Sequence, residues 1–553
     1  MTTSFPRERA AGSGFLSTAA LLAACTLLSR VLGLLRDAMT AWLLGTGPMA
    51  DVLVAAMRLP HLFRRMLADG SLSMTLTAGL VRGEGGRSDG TALTLRQAVH
   101  ALGLRLALAL LLLCLVLGLA AVPLMGLLAP GLEAAAREQA ATLLRCCLPY
   151  VFTAGLAGLG MAVLHGLGRF GVPALSPVLF NLTFLAVALV ALVRRPDPWM
   201  VALLLASAMS LGGCAQWALQ DWAARRALRA QVGAGRAKAV SGGSAAVTGP
   251  WRLLARVPLG VLGATAPQLA MLAAMLPASL CGDGEVSALY YAERLLELPL
   301  GLVGVCLGMA SLPRLSALVR DRNGEDFHRL LAEALRWSLR CCLPAMVGLM
   351  VIAKPLVGAL FGHGAFQDQA VGAASLALCA YACCLPACAM SRTLLAGCHA
   401  LGLQRAAALT ALPVLVLTLA VGGILIHSLP EARQGWMAAA AASAALCVQT
   451  GLLWRLLRRA SRAHVDGEPS WLGAGFCGMQ LLGALAAGGA AWGVQELCAG
   501  LPVACCLLLS VAGGGLAWGG TLLLLGDADL WRLADRLRRF CPGTGRKMGR
   551  RKP

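Results

Sequence analysis

Apolar residues occur along this chain in long runs, separated by short clusters of charged residues, glycine and proline. The clearest runs cover residues 102–128, 178–194, 411–427 and 501–525. A helix needs about 20 apolar residues to cross roughly 30 Å of hydrocarbon, and these runs have that length. Counting the runs and the polar breaks predicts about fourteen membrane-spanning helices. The pattern therefore predicts an all-α polytopic membrane protein.

Composition and charge agree with this class. The chain is 58% hydrophobic and 13% charged, whereas soluble proteins are about 45–50% apolar and about 25% charged. Most arginines fall in alternate connecting segments, which predicts an inner-membrane protein with cytoplasmic N- and C-termini. The net charge of +21 is then explained by topology and by contact with anionic membrane lipids, not by a nucleic-acid surface. The twenty cysteines lack zinc-site spacing, so we predict no metal and no cofactor.

The order of spans predicts two pseudo-symmetric six-helix lobes around a central cavity, followed by two further helices. A weak repeat supports this division. The sequence CCLP occupies residues 146–149 in the fourth predicted span and residues 383–386 in the tenth, and similar residues follow each of these two copies. Repeated bundles with a site between them are common in transporters. The predicted segments are an N-lobe (1–222), a basic cytoplasmic linker (223–254), a C-lobe (255–460), two C-terminal helices (461–526) and a basic cytoplasmic tail (527–553).

The first predicted span carries charges that cost free energy in hydrocarbon. The run 15–44 contains Arg30, Arg36 and Asp37, and it is too long for the apolar core of a signal peptide. A charge at the bilayer centre costs about 2.5–3.5 kcal/mol on insertion scales. Arg30 and Asp37 are seven residues apart, so they lie within about 20° of the same helix face. We therefore expect these side chains to line a wet interior.

The second span repeats this spacing with Asp51, Arg58 and Arg65, and Pro60 is placed to kink it. Two interpretations are open for each residue: a structural ion pair, or part of an anion site. Arginines outnumber acids in the group, which favours an anion site. By helix face, Arg58 and Arg65 are better candidates than their neighbour Arg64.

The eighth span adds a further charged motif, YYAERLLELPLG at 290–301. Arg294 and Glu297 are spaced for an i,i+3 contact, and Glu293 precedes them. Pro299 and Gly301 predict a break in the helix. Arginine suits a phosphate ligand because its planar guanidinium binds two oxygens and stays protonated. No ATP-binding or hydrolase motif occurs in the sequence, so we predict a transporter and not an enzyme.

The stretch SRVLGLLRDAMTAWLLGTGPMADVLVAAMRLPHLFRRMLADGSLS at 29–73 resembles the opening of the MurJ/MviN family. Further resemblances lie at 168–181, 282–308 and 360–367. The family comprises lipid II flippases of the multidrug/oligosaccharidyl-lipid/polysaccharide exporter superfamily. The resemblance implies fourteen spans, lipid II as the cargo, and a hydrophobic groove for the polyprenyl chain formed by the two C-terminal helices (461–526). We predict that the two lobes move the cargo by alternating access.

The resemblance also assigns roles to particular residues. The arginines implicated in holding the lipid-linked pyrophosphate correspond to Arg30, Arg36, Arg64 and Arg294. The family's functionally important acids correspond to Asp51 and Glu297. Together with Asp37, which the helix spacing singles out, they are our candidate cavity and gating acids, and we keep Arg58, Arg65 and Glu293 as additional candidates.

The sequence departs from the family pattern at two places. The turn after the tenth span reads GCHALGLQR, and no Asp, Glu or Asn occurs in 257–280 or 403–426, where some members bind sodium. This favours drive by membrane potential. Two alternatives stay open: an exporter of another lipid-linked oligosaccharide or of a drug, or a non-transporting scaffold that recruits cell-wall synthesis proteins.

Overall fold

The computed structural model describes residues 8–67, 95–233, 266–428, 434–464, 471–498, 500–527 and 529–532. Within these ranges every regular element is a helix, which confirms the all-α prediction. Nine of the described helices are long and apolar enough to cross a membrane, or ten if one bent pair is counted as a span. The predicted count of fourteen is consistent with the helix order and stays a prediction.

The first seven helices build the N-lobe. They are α1 (Glu8–Leu44), α2 (Pro48–Leu67), α3 (Leu95–Leu119), α4 (Ala121–Leu128), α5 (Ala134–Gly166), α6 (Gly171–Arg194) and α7 (Pro198–Gly233). Helix α5 is central, because α2, α3 and α7 all pack against it, while α6 lies between α1 and α7. Small residues allow this close packing. A Cβ at Gly213 of α7 would lie 2.6 Å from the Thr153 hydroxyl of α5.

The C-lobe and the last two helices follow. They are α8 (Ala266–Ser279), α9 (Glu285–Arg320), α10 (Gly324–Phe361), α11 (Asp368–Ala382), α12 (Leu385–Ala400), α13 (Gln404–Leu409), α14 (Ala411–Ser428), α15 (Trp436–His464), α16 (Ala474–Leu497) and α17 (Val503–Leu524). Helices α11 and α12 form the bent pair, at 43°. Helices α16 and α17 pack on each other and on α10. They form a separate layer on the C-lobe.

A buried ion pair ties this C-terminal layer to α10. Arg340 is 2% exposed and donates to both carboxylate oxygens of Asp527, at 2.8–3.2 Å, and to Asp529 at 2.7 Å. Its guanidinium also lies over the rings of Trp337 and Phe476. The first residues of the predicted tail are therefore anchored to the C-lobe.

Two local expectations need correction or extension. The predicted break at Pro299 and Gly301 is wrong, because α9 continues through both residues to Arg320. A proline removes only one backbone hydrogen bond, and the bonds on either side keep this helix intact. The first residues of the predicted 223–254 linker continue α7 to Gly233, and 234–254 lie outside the described residues. Most of the predicted tail, from 533 onward, also lies outside them.

Helices α1, α2 and α9 carry charged residues and are not among the nine described helices that are long and apolar enough to cross a membrane. The same three helices carry all of the sequence-predicted site residues. They meet where the two lobes face each other, since α2 and α1 of the N-lobe contact α9. The fold thus brings the costly charges together in its interior.

Candidate functional site

A cavity of about 230 Å³ lies between the lobes, with walls from α1, α2, α6 and α9. We call it the arginine cavity. The four arginines predicted to bind the cargo all line it, as do two of the three predicted acids: Arg30, Arg36, Arg64 and Arg294, with Asp37 and Glu297. These residues come from three helices, one of which is far from the other two in sequence. The fold therefore brings the four predicted cargo-binding arginines and two of the predicted acids together in one cavity.

Arg36 is held from several sides. Its guanidinium donates to Asp37 at 2.8 and 3.0 Å and to the Asn181 side-chain oxygen of α6 at 3.3 Å. The rings of Phe180 and Phe184 lie 5.8 and 5.6 Å from it. The Asn181 amide in turn donates to the Ser29 carbonyl at 3.0 Å. Because Arg36 is 8% exposed, these contacts fix its orientation and compensate for the loss of water.

Tyr290 connects the two lobes at this point. Its hydroxyl donates to Asp37 of α1 at 3.1 Å. The guanidinium carbons of Arg58 and Arg294 lie 5.7 and 4.7 Å from its ring centroid. A cation over an aromatic ring is stabilised by about 0.5–2 kcal/mol, and more strongly when water is excluded. Tyr290 therefore holds charged groups of both lobes together.

Arg30 lies further along the cavity and is partly exposed. Its guanidinium approaches the backbone of α9 so closely that a Cβ added at Gly301 would collide with it. Arg30 forms no hydrogen bond or ion pair with the residues that the structure describes, so its charge is available to a ligand. Gly301, which we expected to break the helix, instead leaves room for this side chain.

The additional candidates form an ion-pair cluster beside the arginine cavity. Glu293 is 2% exposed and pairs with Arg58 of α2, and Glu297 pairs with Arg65 of the same helix. Arg294 donates to Glu297 at 3.1 Å and lies 3.8 Å from Glu293. The structure thus pairs Arg58 and Arg65 with acids of α9, while their neighbour Arg64 lines the cavity. The helix-face preference for Arg58 and Arg65 as ligand residues is not supported by this placement.

Asp51 lies away from the arginine cavity, at the other end of α2. Its two carboxylate oxygens accept hydrogen bonds from the backbone N–H groups of Gly284 and Ser287, both at 2.7 Å. These donors lie at the N-terminus of α9, at the capping residue Gly284 and in the first turn, where a carboxylate also interacts favourably with the helix dipole. Asp51 is 3% exposed. It therefore joins the N-lobe to the C-lobe as a cap supplied by another helix.

A second contact between the lobes lies at the end of α1. The Ala365 N–H, in the loop between α10 and α11, donates to the Trp42 carbonyl at 3.0 Å, and the Trp42 and His363 rings are stacked at 5.9 Å. Gly45 and Gly364 both have positive φ here, and a Cβ on either would clash with the opposite lobe. The lobes are thus closely packed at the end of the molecule that holds Asp51.

Sequence reasoning missed several polar residues that contribute to the site. Asn181 and Tyr290 position Arg36 and Asp37, and His61 and Gln216 line the arginine cavity. Arg392 of α12 interacts electrostatically with Glu297 and Arg65 and is partly buried. The sequence does contain a signal for these residues: each is a polar residue within an apolar run, and such residues usually face the protein interior in a membrane helix.

The site has a surplus of positive charge. Among the described residues, the cavity and the ion-pair cluster together contain six arginines and three acids: Arg30, Arg36, Arg58, Arg64, Arg65 and Arg294, with Asp37, Glu293 and Glu297. Among the described residues no group of His, Cys, Asp and Glu is placed to hold a metal ion. The arrangement therefore suits an anionic ligand, held by arginines whose orientation is set by acids behind them.

Comparisons with known proteins identify the family of this chain. A family profile described as "Lipid II flippase MurJ" matches residues 40–511. The chain is 30% identical over 485 residues to the probable lipid II flippase MurJ of Haemophilus influenzae, covering 84% of this chain and 90% of the relative. It is 31% identical over 359 residues to the lipid II flippase MurJ of Burkholderia cenocepacia, covering 64% and 67%.

Solved structures show the same fold. A lipid II flippase MurJ in an inward closed conformation superposes with a TM-score of 0.71 at 19% identity, covering 92% of this chain and 98% of that one. An inward-facing multidrug resistance MATE family transporter of the MOP superfamily superposes with a TM-score of 0.59 at 17% identity, covering 78% and 95%. With a matching profile over most of its length and a relative at 30% identity over 84% of it, the chain belongs to the MurJ family of lipid II flippases.

Proposed function

We propose that this protein flips lipid II, a polyprenyl-pyrophosphate-linked disaccharide-peptide, from the inner to the outer leaflet of the cytoplasmic membrane. The observation that carries the proposal is the convergence of Arg30, Arg36, Arg64 and Arg294 on one interior cavity. Burying these charges costs free energy. An anionic cargo that must cross hydrocarbon explains why a membrane protein would retain them.

The pyrophosphate is the group that these arginines bind. Arg36 and Arg294 are oriented by Asp37, Asn181 and Glu297, so little side-chain entropy is lost when a ligand arrives. Arg30 has no ion-pair partner among the described residues and supplies positive charge. Hydrogen bonds between arginine and phosphate are charge-assisted and about twice as strong as neutral ones.

Cavity size limits what is bound in this conformation. Small-ligand pockets are usually about 300–1,000 Å³, and this cavity is about 230 Å³. It therefore accommodates the charged pyrophosphate region, with the sugar and peptide extending beyond it. The polyprenyl chain stays in the bilayer, along the layer formed by α16 and α17, which is almost uncharged. Moving the polar headgroup through hydrocarbon unaided would be prohibitively costly.

Transport proceeds by alternating access of the lobes. The contacts of Asp51 with α9 and of Trp42 with Ala365 hold the lobes together at one end. With the termini cytoplasmic, this end faces outward and the arginine cavity lies on its cytoplasmic side. Release to the outer leaflet requires these contacts to open, together with the Asp37–Tyr290 bond. Membrane potential drives the cycle, and no covalent chemistry is needed.

The test is complementation of a bacterial host depleted of its lipid II flippase. Cells would express the native chain, Arg30→Ala, Arg294→Ala, or the control Arg329→Ala at matched membrane levels. Arg329 is 68% exposed at a helix end and pairs with Glu325, so it reports general effects of losing an arginine. Binding of purified variants to lipid II in detergent would be measured alongside.

Rescue by the native chain and by Arg329→Ala, but not by the two cavity variants, would support the proposal. Rescue by all four chains would keep the cargo and refute the role of the arginines. Failure of the native chain, despite correct insertion and no binding of lipid II, would favour another lipid-linked oligosaccharide, a drug, or a scaffold for cell-wall synthesis proteins.

A further inference from the structure

A second cavity lies on the outside of the N-lobe and shares no residue with the arginine cavity. It has a volume of about 380 Å³ and is formed by α3, α5 and α7. This volume falls in the range of about 300–1,000 Å³ that is usual for small-ligand sites. We call it the outer groove. Neither lipid II transport nor the contacts between the lobes uses it.

The outer groove is polar at one end and apolar at the other. On α7 it is lined by Trp217, Asp221, Arg225 and Arg229, which follow one helix face in steps of about 6 Å. On α3 it runs from His100 to Ala107. The two helices are antiparallel, so His100 lies towards the arginine end and Ala107 towards Trp217. Apolar residues of α5, such as Leu156 and Leu159, form the floor.

The apolar half opens towards the bilayer. Leu104, which lines the groove, is 58% exposed, and its neighbours Leu108 and Leu111 are each 59% exposed. Only 17% of the apolar window of α3 is buried inside the protein. A membrane protein exposes such a helix to lipid tails. A hydrocarbon chain can therefore enter the groove sideways from the membrane.

The polar half carries positive charge at the membrane surface. Arg229 is exposed and forms no ion pair with the residues that the structure describes. Arg225 is held by Asp221 at 2.7 Å, which directs its guanidinium along the helix. Trp217 lies at the boundary between the polar and apolar halves, where amphipathic rings are favoured. Basic pockets between spanning helices on the cytoplasmic side suit anionic lipid headgroups.

We propose that the outer groove binds an anionic glycerophospholipid of the cytoplasmic leaflet. Its phosphate contacts Arg225 and Arg229, and one acyl chain lies along α3 and α5 between Ala107 and Leu159. Charge complementarity selects an anionic lipid over a zwitterionic one. The arginine cavity lies on the other side of α5 and α7, so the bound lipid does not compete with the cargo there.

The test uses the full-length protein in nanodiscs of phosphatidylcholine that contain a small fraction of phosphatidylglycerol with a photoreactive acyl chain. After irradiation, labelled peptides would be mapped by mass spectrometry. We expect label on 99–107 and 156–163. Losing one arginine near an anionic surface weakens binding about fivefold, so Arg229→Gln should reduce this labelling by about that factor. Arg226→Gln is the matched control, because Arg226 lies over Trp222 at 5.5 Å and does not line the groove.

A second pair of variants tests the acyl-chain half. Ala107→Phe fills the groove and should abolish labelling of 156–163, whereas Leu108→Phe on the lipid-facing side should leave it intact. Three results would overturn the proposal: equal labelling by photoreactive phosphatidylcholine, no response to either groove variant, or displacement of the label by added lipid II. The last result would assign the groove to the cargo. Binding is read without transport, so the outcome is independent of the proposed function.

Discussion

The contact between Asp51 and the first turn of α9 allows a quantitative prediction. The carboxylate accepts two backbone hydrogen bonds at 2.7 Å and is 3% exposed. Asp51→Asn keeps the shape but retains only one acceptor oxygen, and its amide group faces the second N–H. One charge-assisted bond, worth about 1.5–3 kcal/mol, is lost, and the helix N-terminus loses a neighbouring negative charge. We expect this link between the lobes to weaken by about 2–3 kcal/mol.

Amide hydrogen exchange of the first turn of α9 measures this change directly. Protection there reports the free energy of local opening, and every 1.4 kcal/mol corresponds to a tenfold change. Exchange at Gly284 and Ser287 should therefore accelerate by about 30- to 150-fold in Asp51→Asn. Peptides of α5, which lies within the N-lobe, should be unaffected.

Asp283→Asn is the matched control. Asp283 is exposed and lies immediately before the same turn, without a hydrogen bond to it among the described residues. Its removal changes only the long-range charge at the helix N-terminus, so exchange should change by less than about fivefold. Equal acceleration in both variants, or none in Asp51→Asn, would refute the assignment of Asp51 as a link between the lobes.

Three further predictions concern other parts of the molecule. Arg340→Met removes the ion-pair partner of the buried Asp527, which keeps only hydrogen bonds from Gln480 and from its own backbone turn, and should destabilise the protein by about 3–5 kcal/mol. Thermal unfolding in detergent would show this, and Arg340→Met combined with Asp527→Asn should recover part of the stability. Gly301→Ala should displace Arg30 and weaken lipid II binding. Combining Gly301→Ala with Arg30→Ala should weaken binding little more than either change alone, and additive losses would contradict the contact between Gly301 and Arg30. Gly213→Leu should disrupt packing of α5 on α7 and reduce folded protein in a size-exclusion profile, and an unchanged profile would contradict that packing.

The all-α class, the approximate helix positions and the interior placement of Arg36 and Arg294 could be predicted from the sequence. Runs of about 20 apolar residues have one stable form in hydrocarbon, because a helix satisfies its own backbone hydrogen bonds. Charges inside such runs are costly, so the sequence alone assigns Arg30, Arg36 and Arg294 to an interior. These assignments depend on the bilayer as solvent and not on which helices are neighbours.

Assignments that depend on the neighbouring helix required the tertiary structure. Arg64 and Arg65 are adjacent in sequence, but Arg65 pairs with Glu297, while Arg64 lines the cavity. The position of α9 beside α2 decides which of these two arginines meets an acid and which lines the cavity. Asp51 belongs to the same spacing pattern as Arg58 and Arg65, yet it caps α9 instead of facing the cavity.

Repeated motifs and prolines also depend on their surroundings. The CCLP at 146–149 lies within the continuous helix α5 and the CCLP at 341–344 within α10, whereas at 383–386 it marks the 43° bend between α11 and α12. A proline removes one backbone hydrogen bond, and the helices packed around it decide whether the chain bends there. The pairing of Arg340 with Asp527, 187 residues apart, has no sequence signal. Local sequence determined which segments are helical and where charge is costly; long-range packing determined which charges meet.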